Sequence, residues 1–423
     1  MTSAMAGGRL PSRASGREWL AVASVALGTF ALVTSEFLPV GLLTKVAADL
    51  HASEGATGLM VTTPGMVAAV AAPGVMLGAG RLDRRIILWV LSAILILSNA
   101  TVALAPNLPV LLAGRVLLGI DVGAFWAISS VIAVKMVPQA SVARANSIIF
   151  AGISIGTVLG VPAGSLIGDA FGWRASFAGV AGFGVLVLAA QLAFLRRLPP
   201  SEVVSPRHLI ALFGIPKARI GLLATMLAII GQFGAYTYMG AFLEQETRTP
   251  PALLSSLLLG YGVAGFIGNF IGGAAVERNA RRTLGGTCLL LGGSIVLLPV
   301  IGHLVAPAAI LILLWGFAFG ALPIAMQGWM MKAAPEEMES ASAMFISVLQ
   351  IGLASGAFLG GVVVDRFGLD ATLAASGAIA LATAALVWIF GRGGKAVSAE
   401  TLPHGAPAVE AANDGRPPER RRA

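Results

Sequence analysis

Apolar residues run almost unbroken through twelve stretches of this chain, near 18–43, 56–79, 86–105, 108–134, 145–168, 175–195, 218–243, 252–275, 283–304, 307–331, 340–364 and 370–391. Polar residues gather in the short breaks between them. Each stretch has about the 20 residues that cross roughly 30 Å of hydrocarbon. Lipid offers the backbone no hydrogen-bond partner, so each is predicted to be a helix. The longest polar break, 196–217, carries arginines and prolines and divides the chain into a bundle at 18–195 and a bundle at 218–391. A tail at 1–17 precedes them. The tail at 392–423, rich in Ala, Pro, Glu and Arg, reads as disordered. The first stretch follows Arg9, Arg13 and Arg17 but is far longer than a signal-peptide core, so it reads as a retained signal-anchor.

Composition strengthens this picture. Hydrophobic residues make up 57% of the 423 positions and charged residues 11%, against about 25% charged in soluble domains. A soluble protein would have too little polar surface to cover such a chain. The net charge of +8 does not mark a nucleic-acid binder, because the basic residues form no single patch interleaved with aromatics. They alternate between breaks instead. With the N-terminus in the cytoplasm, inner segments hold Arg81, Arg84, Arg85, Lys135, Arg144, Arg196, Arg197, Arg207, Lys217, Arg219, Arg278, Arg281, Arg282 and Lys332. Outer loops hold only Lys45, Arg174, Arg248 and Arg366. That asymmetry predicts both termini inside and an even number of spans. The lone Cys288 and the histidines at 51, 208, 303 and 404 show no metal-ligand cluster. No cofactor is implied, and no nucleic-acid partner.

The halves repeat. Around the fifth span the chain reads Gly156-Thr-Val-Leu-Gly160-Val-Pro162-Ala-Gly164, followed by Asp169-Ala-Phe171-Gly172. Adding 196 gives Gly352, Gly356 and Gly360, then Asp365-Arg-Phe367-Gly368. The break holding Arg81, Arg84 and Arg85 corresponds, at an offset of 197, to the one holding Glu277, Arg278, Arg281 and Arg282. Two like-folded six-helix halves are the mark of the major facilitator fold, an all-α membrane architecture.

The same residues carry a resemblance to that superfamily. Gly273-x-x-x-Glu277-Arg278-x-x-Arg281-Arg282 resembles its signature between spans 8 and 9, and the twin break differs in having Gly80 where an acid is usual. Arg115-x-x-x-Gly119-x-x-x-Gly123 resembles the motif associated with proton coupling, and the run Gly156, Gly160, Pro162, Gly164 resembles the antiporter motif. The phrases Glu36-Phe-Leu-Pro-Val, Gly123-Ala-Phe-Trp-Ala, Gly172-Trp-Arg and Gly231-Gln-Phe are similar to those of the drug–proton antiporter branch, purine ribonucleoside efflux pumps in particular. The resemblance implies a proton-driven exporter of the bacterial inner membrane, acting as a monomer, with the glycine and arginine motifs as conformational latches. Sugar or chloramphenicol-like drug efflux and solute–proton symport use the same parts.

Three charged residues fall well inside predicted spans: Glu36, Arg115 and Asp121. Intramembrane charges cost several kcal/mol unless paired or wet, so each is a functional candidate. Glu36 sits beside helix-loosening Pro39. Asp121 is expected at the depth of a central cavity. It lies about 120° around the helix from Arg115, so Arg115 is expected to meet Glu36 or a backbone carbonyl of a neighbouring helix. Trp126, Gln232, Tyr236, Tyr238, Asn269, Gln327, Trp329 and Gln350 lie inside spans and suit stacking and amide recognition of a base or sugar. Gln232 is Glu36 plus 196, so the two are expected to face one cavity. Gly152-Ile-Ser154-Ile-Gly156 and Gly260-Tyr-Gly262-Val-Ala-Gly265 spell catalytic and dinucleotide motifs but lack the strand that each requires. With no clustered catalytic constellation, the chain does not read as an enzyme.

Overall fold

The computed structural model describes residues 14–78, 82–199, 214–333 and 338–391. Arg81, part of the linker and most of both tails lie outside them. Among the described residues the regular structure is helical throughout. The first half contains α1 (Gly16–Phe37), a short α2 (Leu43–Asp49), α3 (Glu54–Gly78), α4 (Arg84–Ala103), α5 (Leu108–Met136), α6 (Val142–Ile155), α7 (Val161–Phe171) and α8 (Trp173–Phe194). The second contains α9 (Pro216–Tyr236), a short α10 (Met239–Gln245), α11 (Pro251–Ile301), α12 (Val305–Ala333) and α13 (Met338–Phe390).

Among the described residues, ten helical segments are long and apolar enough to cross a membrane. Two of them do so twice. α11 and α13 have 51 and 53 residues, about 76 and 80 Å at 1.5 Å per residue, and a bilayer core is roughly 30 Å. Each is interrupted by one non-helical residue, Asn279 in α11 and Gly368 in α13. Counting both arms of each gives the twelve crossings that hydropathy predicts.

The repeat is visible atom by atom. Gly172 has φ 85° and Gly368, 196 positions on, has φ 84°. An L side chain would be strained there, so glycine reverses the chain at the same place in each half. Asp83 caps α4 by accepting from Arg85 N (2.9 Å), and Asn279 accepts from Arg282 N (3.0 Å) in the same role. The two acceptors are 196 apart and the two donors 197 apart, so this break keeps the nearly constant offset of the repeat.

Glycines set the helix spacing. A methyl group on Gly152, Gly156, Gly160, Gly164 or Gly168 would meet Ala26, Phe30, Thr34, Leu38 or Leu42 respectively. Five contacts at four-residue intervals seat the run from α6 through α7 against α1 and the Leu38–Leu42 segment that follows it, the small residues letting backbones approach where lipid gives no hydrophobic drive. The second half repeats the seam: a methyl on Gly356 would lie 2.5 Å from Ile230 O, and one on Gly360 2.6 Å from Gly234 O. Between α6 and α7, Gly156–Gly160 winds as a π-helix. Pro162 has no N–H for the Val158 carbonyl four residues back, and the wider turn absorbs that missing bond.

Candidate transport site

Arg115 is completely buried and makes three hydrogen bonds, all to backbone carbonyls. Its Nε donates to Met60 O (2.6 Å), Nη1 to Ser35 O (2.8 Å) and Nη2 to Glu36 O (3.0 Å). Two of these acceptors have a common origin. In an α-helix the carbonyl of residue i takes the N–H of residue i+4. Pro39 follows Ser35 by four and Pro64 follows Met60 by four. Neither proline has an N–H to give. One guanidinium therefore serves the carbonyls that two prolines leave bare, and it joins α1, α3 and α5 at that point.

The Glu36 side chain is thereby held near a fixed cation without a direct ion pair: Arg115 reaches its carbonyl, not its carboxylate. Glu36 is 5% exposed. Its carboxylate lies within interaction range of the Gln350 amide from α13, whose buried Nε2 makes no hydrogen bond among the described residues. An acid of the first half thus faces an amide of the second.

Asp121 points elsewhere. It lines a small cavity inside the first half, bounded by Val25, Gly28 and Leu32 of α1, Leu88, Leu91, Ser92 and Leu95 of α4, Phe125 of α5 and Gln191 of α8. Sequence reading expects it at the depth of a central cavity. The rotation of about 120° from Arg115 turns it inward to its own bundle instead. There Ser92 Oγ donates to Gln191 Oε1 (2.9 Å), and among the described residues Asp121 has no hydrogen-bond partner. It remains within electrostatic reach of Glu36.

Where the halves meet, Phe37 and Phe233 stack with centroids 5.8 Å apart and planes 16° apart. They differ by 196, so each is the other's counterpart, and counterparts can touch only on the pseudo-twofold axis. Tyr236 adjoins both rings and stacks on Tyr261 (5.3 Å) and Phe319 (6.1 Å). Gln232 is held behind this cluster, donating to Tyr261 Oη (3.0 Å) and accepting from Trp315 Nε1 (2.7 Å). Its amide braces the aromatic wall and does not pair with Glu36. Phe37, Phe233, Tyr261, Trp315 and Phe319 were absent from the sequence-derived set.

The remaining candidates scatter. Tyr238, expected as a cargo contact, is instead wedged against Gly58 and Gly361 with its hydroxyl donating to Ala357 O (3.1 Å). Trp329 packs on Gly221 near the linker side and donates to Lys217 O (3.1 Å). Trp126 packs on Phe125 (5.8 Å), Asn269 is half-buried and Gln327 is exposed. Among the motif residues, Arg85 lies over the Trp89 ring (4.7 Å), and Arg84 N donates to Leu198 O (2.9 Å). Arg281 reaches Val387 O (3.4 Å) and Trp388 O at the end of α13. Glu277, Arg278 and Arg282 are exposed.

At the end of the bundle away from the linker the halves are bolted together. Asp365 of α13 accepts from Gly55 N (2.9 Å) and Ser53 Oγ (2.7 Å) at the start of α3. Thr44 donates to Glu244, and Gln245 donates to Glu54. Below this seal sits the aromatic cluster.

Two six-helix halves joined at a pseudo-twofold axis, with charge and stacking surface buried between them, define a membrane transporter rather than an enzyme. The sequence pattern of the Major Facilitator Superfamily matches residues 25–220 and 221–413. The chain belongs to that superfamily. Among curated relatives, it is 35% identical over 378 residues to the "Transcription regulatory protein OpdE" of Pseudomonas aeruginosa, covering 88% of this chain and 94% of that one. It is 34% identical over 369 residues to the "Purine ribonucleoside efflux pump NepI" of Salmonella typhimurium, covering 87% and 93%. Among solved structures, a bacterial homologue of the human lysosomal transporter Spinster superposes with a TM-score of 0.74 at 17% identity, covering 89% of this chain and 97% of that one. The Escherichia coli xylose transporter XylE gives 0.67 at 15%, covering 88% and 98%.

Proposed function

We propose that this protein exports purine ribonucleosides or their analogues across the bacterial inner membrane in exchange for protons, with both termini in the cytoplasm. The observation that carries the reading is the axial aromatic cluster of Phe37, Phe233, Tyr236, Tyr261 and Phe319 beside the Glu36 carboxylate. Flat rings bind a flat base, and aromatic stacking is worth about 1–3 kcal/mol per base. The likeness to efflux pumps that carry this cargo supports it.

Glu36 is the proton carrier in this scheme, with Asp121 a second acid in reach of it. When the cavity faces outward, water and protons reach Glu36. Neutralising it weakens its attraction for the Gln350 amide and favours return to the inward-facing state. A proton moved through 100 mV supplies about 2.3 kcal/mol, roughly a fortyfold accumulation at 1.4 kcal/mol per tenfold.

The test uses purified protein in vesicles, where an effect on transcription of the kind named for one relative cannot register. With the cytoplasmic face outward and the lumen acidic, labelled inosine or guanosine should accumulate inside, and Glu36→Gln should abolish uphill uptake while leaving exchange down a gradient. Uptake no greater than in protein-free vesicles sinks the cargo assignment. Full uphill pumping by Glu36→Gln, Asp121→Asn and their double variant sinks the proton assignment.

A further inference from the structure

Three residues that sequence keeps far apart meet at the end of the second half away from the linker. Glu246 follows α10, His303 lies in the turn between α11 and α12, and Asp370 follows the Gly368 break of α13. One ligand atom from each lies within 4.8 Å of the others. We infer that Glu246, His303 and Asp370 form a binding site for a divalent transition-metal ion of the zinc class.

The histidine is arranged as a ligand. His303 Nε2 lies 3.0 Å from Pro299 O, a carbonyl in the last turn of the first half of the α11–α12 hairpin that has no helical N–H to accept. A carbonyl only accepts, so Nε2 carries a proton toward Pro299, and Nδ1 faces Glu246 Oε2, 4.0 Å away. Histidines that bind metal commonly donate the other ring N–H to such a carbonyl, which fixes tautomer and orientation. Asp370 Oδ1 stands 4.0 Å from Nε2, the other nitrogen of the ring, so the two carboxylates flank the imidazole. Among the described residues neither carboxylate has a lysine or arginine partner.

The supports are in place as well. Thr247, next to Glu246, donates its hydroxyl to the carbonyl of Gly302, next to His303, at 2.7 Å. That bond ties the two ligand-bearing segments together. Phe242, fully buried, packs against the imidazole with ring centroids 6.1 Å apart. Two ligand atoms about 2.1 Å from one tetrahedral ion are about 3.4 Å apart, so small side-chain rotations close the observed gaps. Imidazole with carboxylate oxygens suits zinc better than magnesium or calcium, which prefer all-oxygen sets. Three protein ligands leave the fourth position to water.

Zinc titration of the full-length protein in detergent at neutral pH, purified through a histidine-free tag, tests this. Wild type should bind one saturable Zn²⁺ per chain and resist thermal unfolding better with it, while magnesium at equal concentration does neither. His303→Gln and Asp370→Asn should each weaken that binding by more than the roughly 10–100-fold that loss of an outer support costs. Two variants are used so that a folding defect in one leaves the other to decide. Equal zinc affinity in wild type and the folded variant, or no saturable binding at all, overturns the assignment. The readout is binding, so it stands or falls apart from the transport reading.

Discussion

Arg115→Met removes the guanidinium while keeping a side chain of similar length. It strips donors from Met60 O, Ser35 O and Glu36 O, two of which no helical N–H can reclaim. Hydrogen bonds between membrane helices measure about 0.6 kcal/mol on average and about 1.7 at most, so three give about 2–5 kcal/mol. Charge assistance favours the upper end. At about 2–4 °C per kcal/mol for a unit of 150–250 residues, the thermal midpoint should fall by about 4–20 °C, followed by size-exclusion chromatography of heated samples. The sharper measurement is a double-mutant cycle. In a Pro39→Ala, Pro64→Ala background each alanine restores an N–H, so two of the three carbonyls no longer depend on Arg115. The penalty for Arg115→Met should shrink there by about two-thirds, a coupling of about 1–3 kcal/mol. An undiminished penalty would refute the idea that the arginine stands in for proline's missing donors.

Other substitutions probe the remaining features. Tyr236→Leu removes the ring that stacks on Tyr261 and Phe319, and should raise KM for a purine nucleoside about tenfold or more without lowering thermal stability to match; an unchanged KM argues against base stacking there. Asp365→Ala deletes the acceptor for Gly55 N and Ser53 Oγ, a cap worth about 0.5–2 kcal/mol, so a cysteine placed at Val40 beneath the seal should react faster with an impermeant maleimide added outside. Gly356→Ala puts a methyl 2.5 Å from Ile230 O and should destabilise by about 1–3 kcal/mol, seen as a lower thermal midpoint. Outside the membrane spans, Arg174 beside Asp49 holds that carboxyl below the usual aspartate range. A lowered folded-state pKa contributes stability above the unfolded value, near 3.9, and loses it as pH falls through the folded one. The ion-pair share of the Arg174→Gln deficit, under about 1 kcal/mol for so exposed a pair, should therefore fade toward strong acid, leaving the share of its hydrogen bond to Ala105 O; a deficit that grows on acidification contradicts it.

Twelve crossings were legible because hydrocarbon demands long apolar runs and nothing else in the chain imitates them. The duplication was legible because glycine turns and glycine seams tolerate no substitute, so Gly172 and Gly368 kept their spacing. Glu36 and Arg115 announced themselves as charges in grease. What the pairings would be was partly hidden. Prolines four residues after Ser35 and Met60 pointed to bare carbonyls, but only the packing of α5 shows what fills them. Phe37, Phe233, Tyr261, Trp315 and Phe319 read like any lipid-facing aromatics, although the offset that relates Glu36 to Gln232 also relates Phe37 to Phe233. Asp121 shows the reverse: its depth suggested a central place, and only the packing of α5 shows that it faces its own bundle. The Glu246, His303 and Asp370 set was invisible, with 57 and 67 positions separating its members. A cluster made by tertiary folding of three turns leaves no spacing to read.

The five-glycine seam has a consequence for how the two halves can work against each other. Turning or sliding α1 past α6 and α7 would drive Thr34, Leu38 and Leu42 into backbone, so these helices travel as one welded piece and Glu36 travels with them. Within its own half the acid is a stationary fixture. Gln350 belongs to the opposite piece and is the visitor. Whatever changes around Glu36 during a cycle must then come from the arrival and departure of that amide and of water, not from any excursion of the glutamate itself.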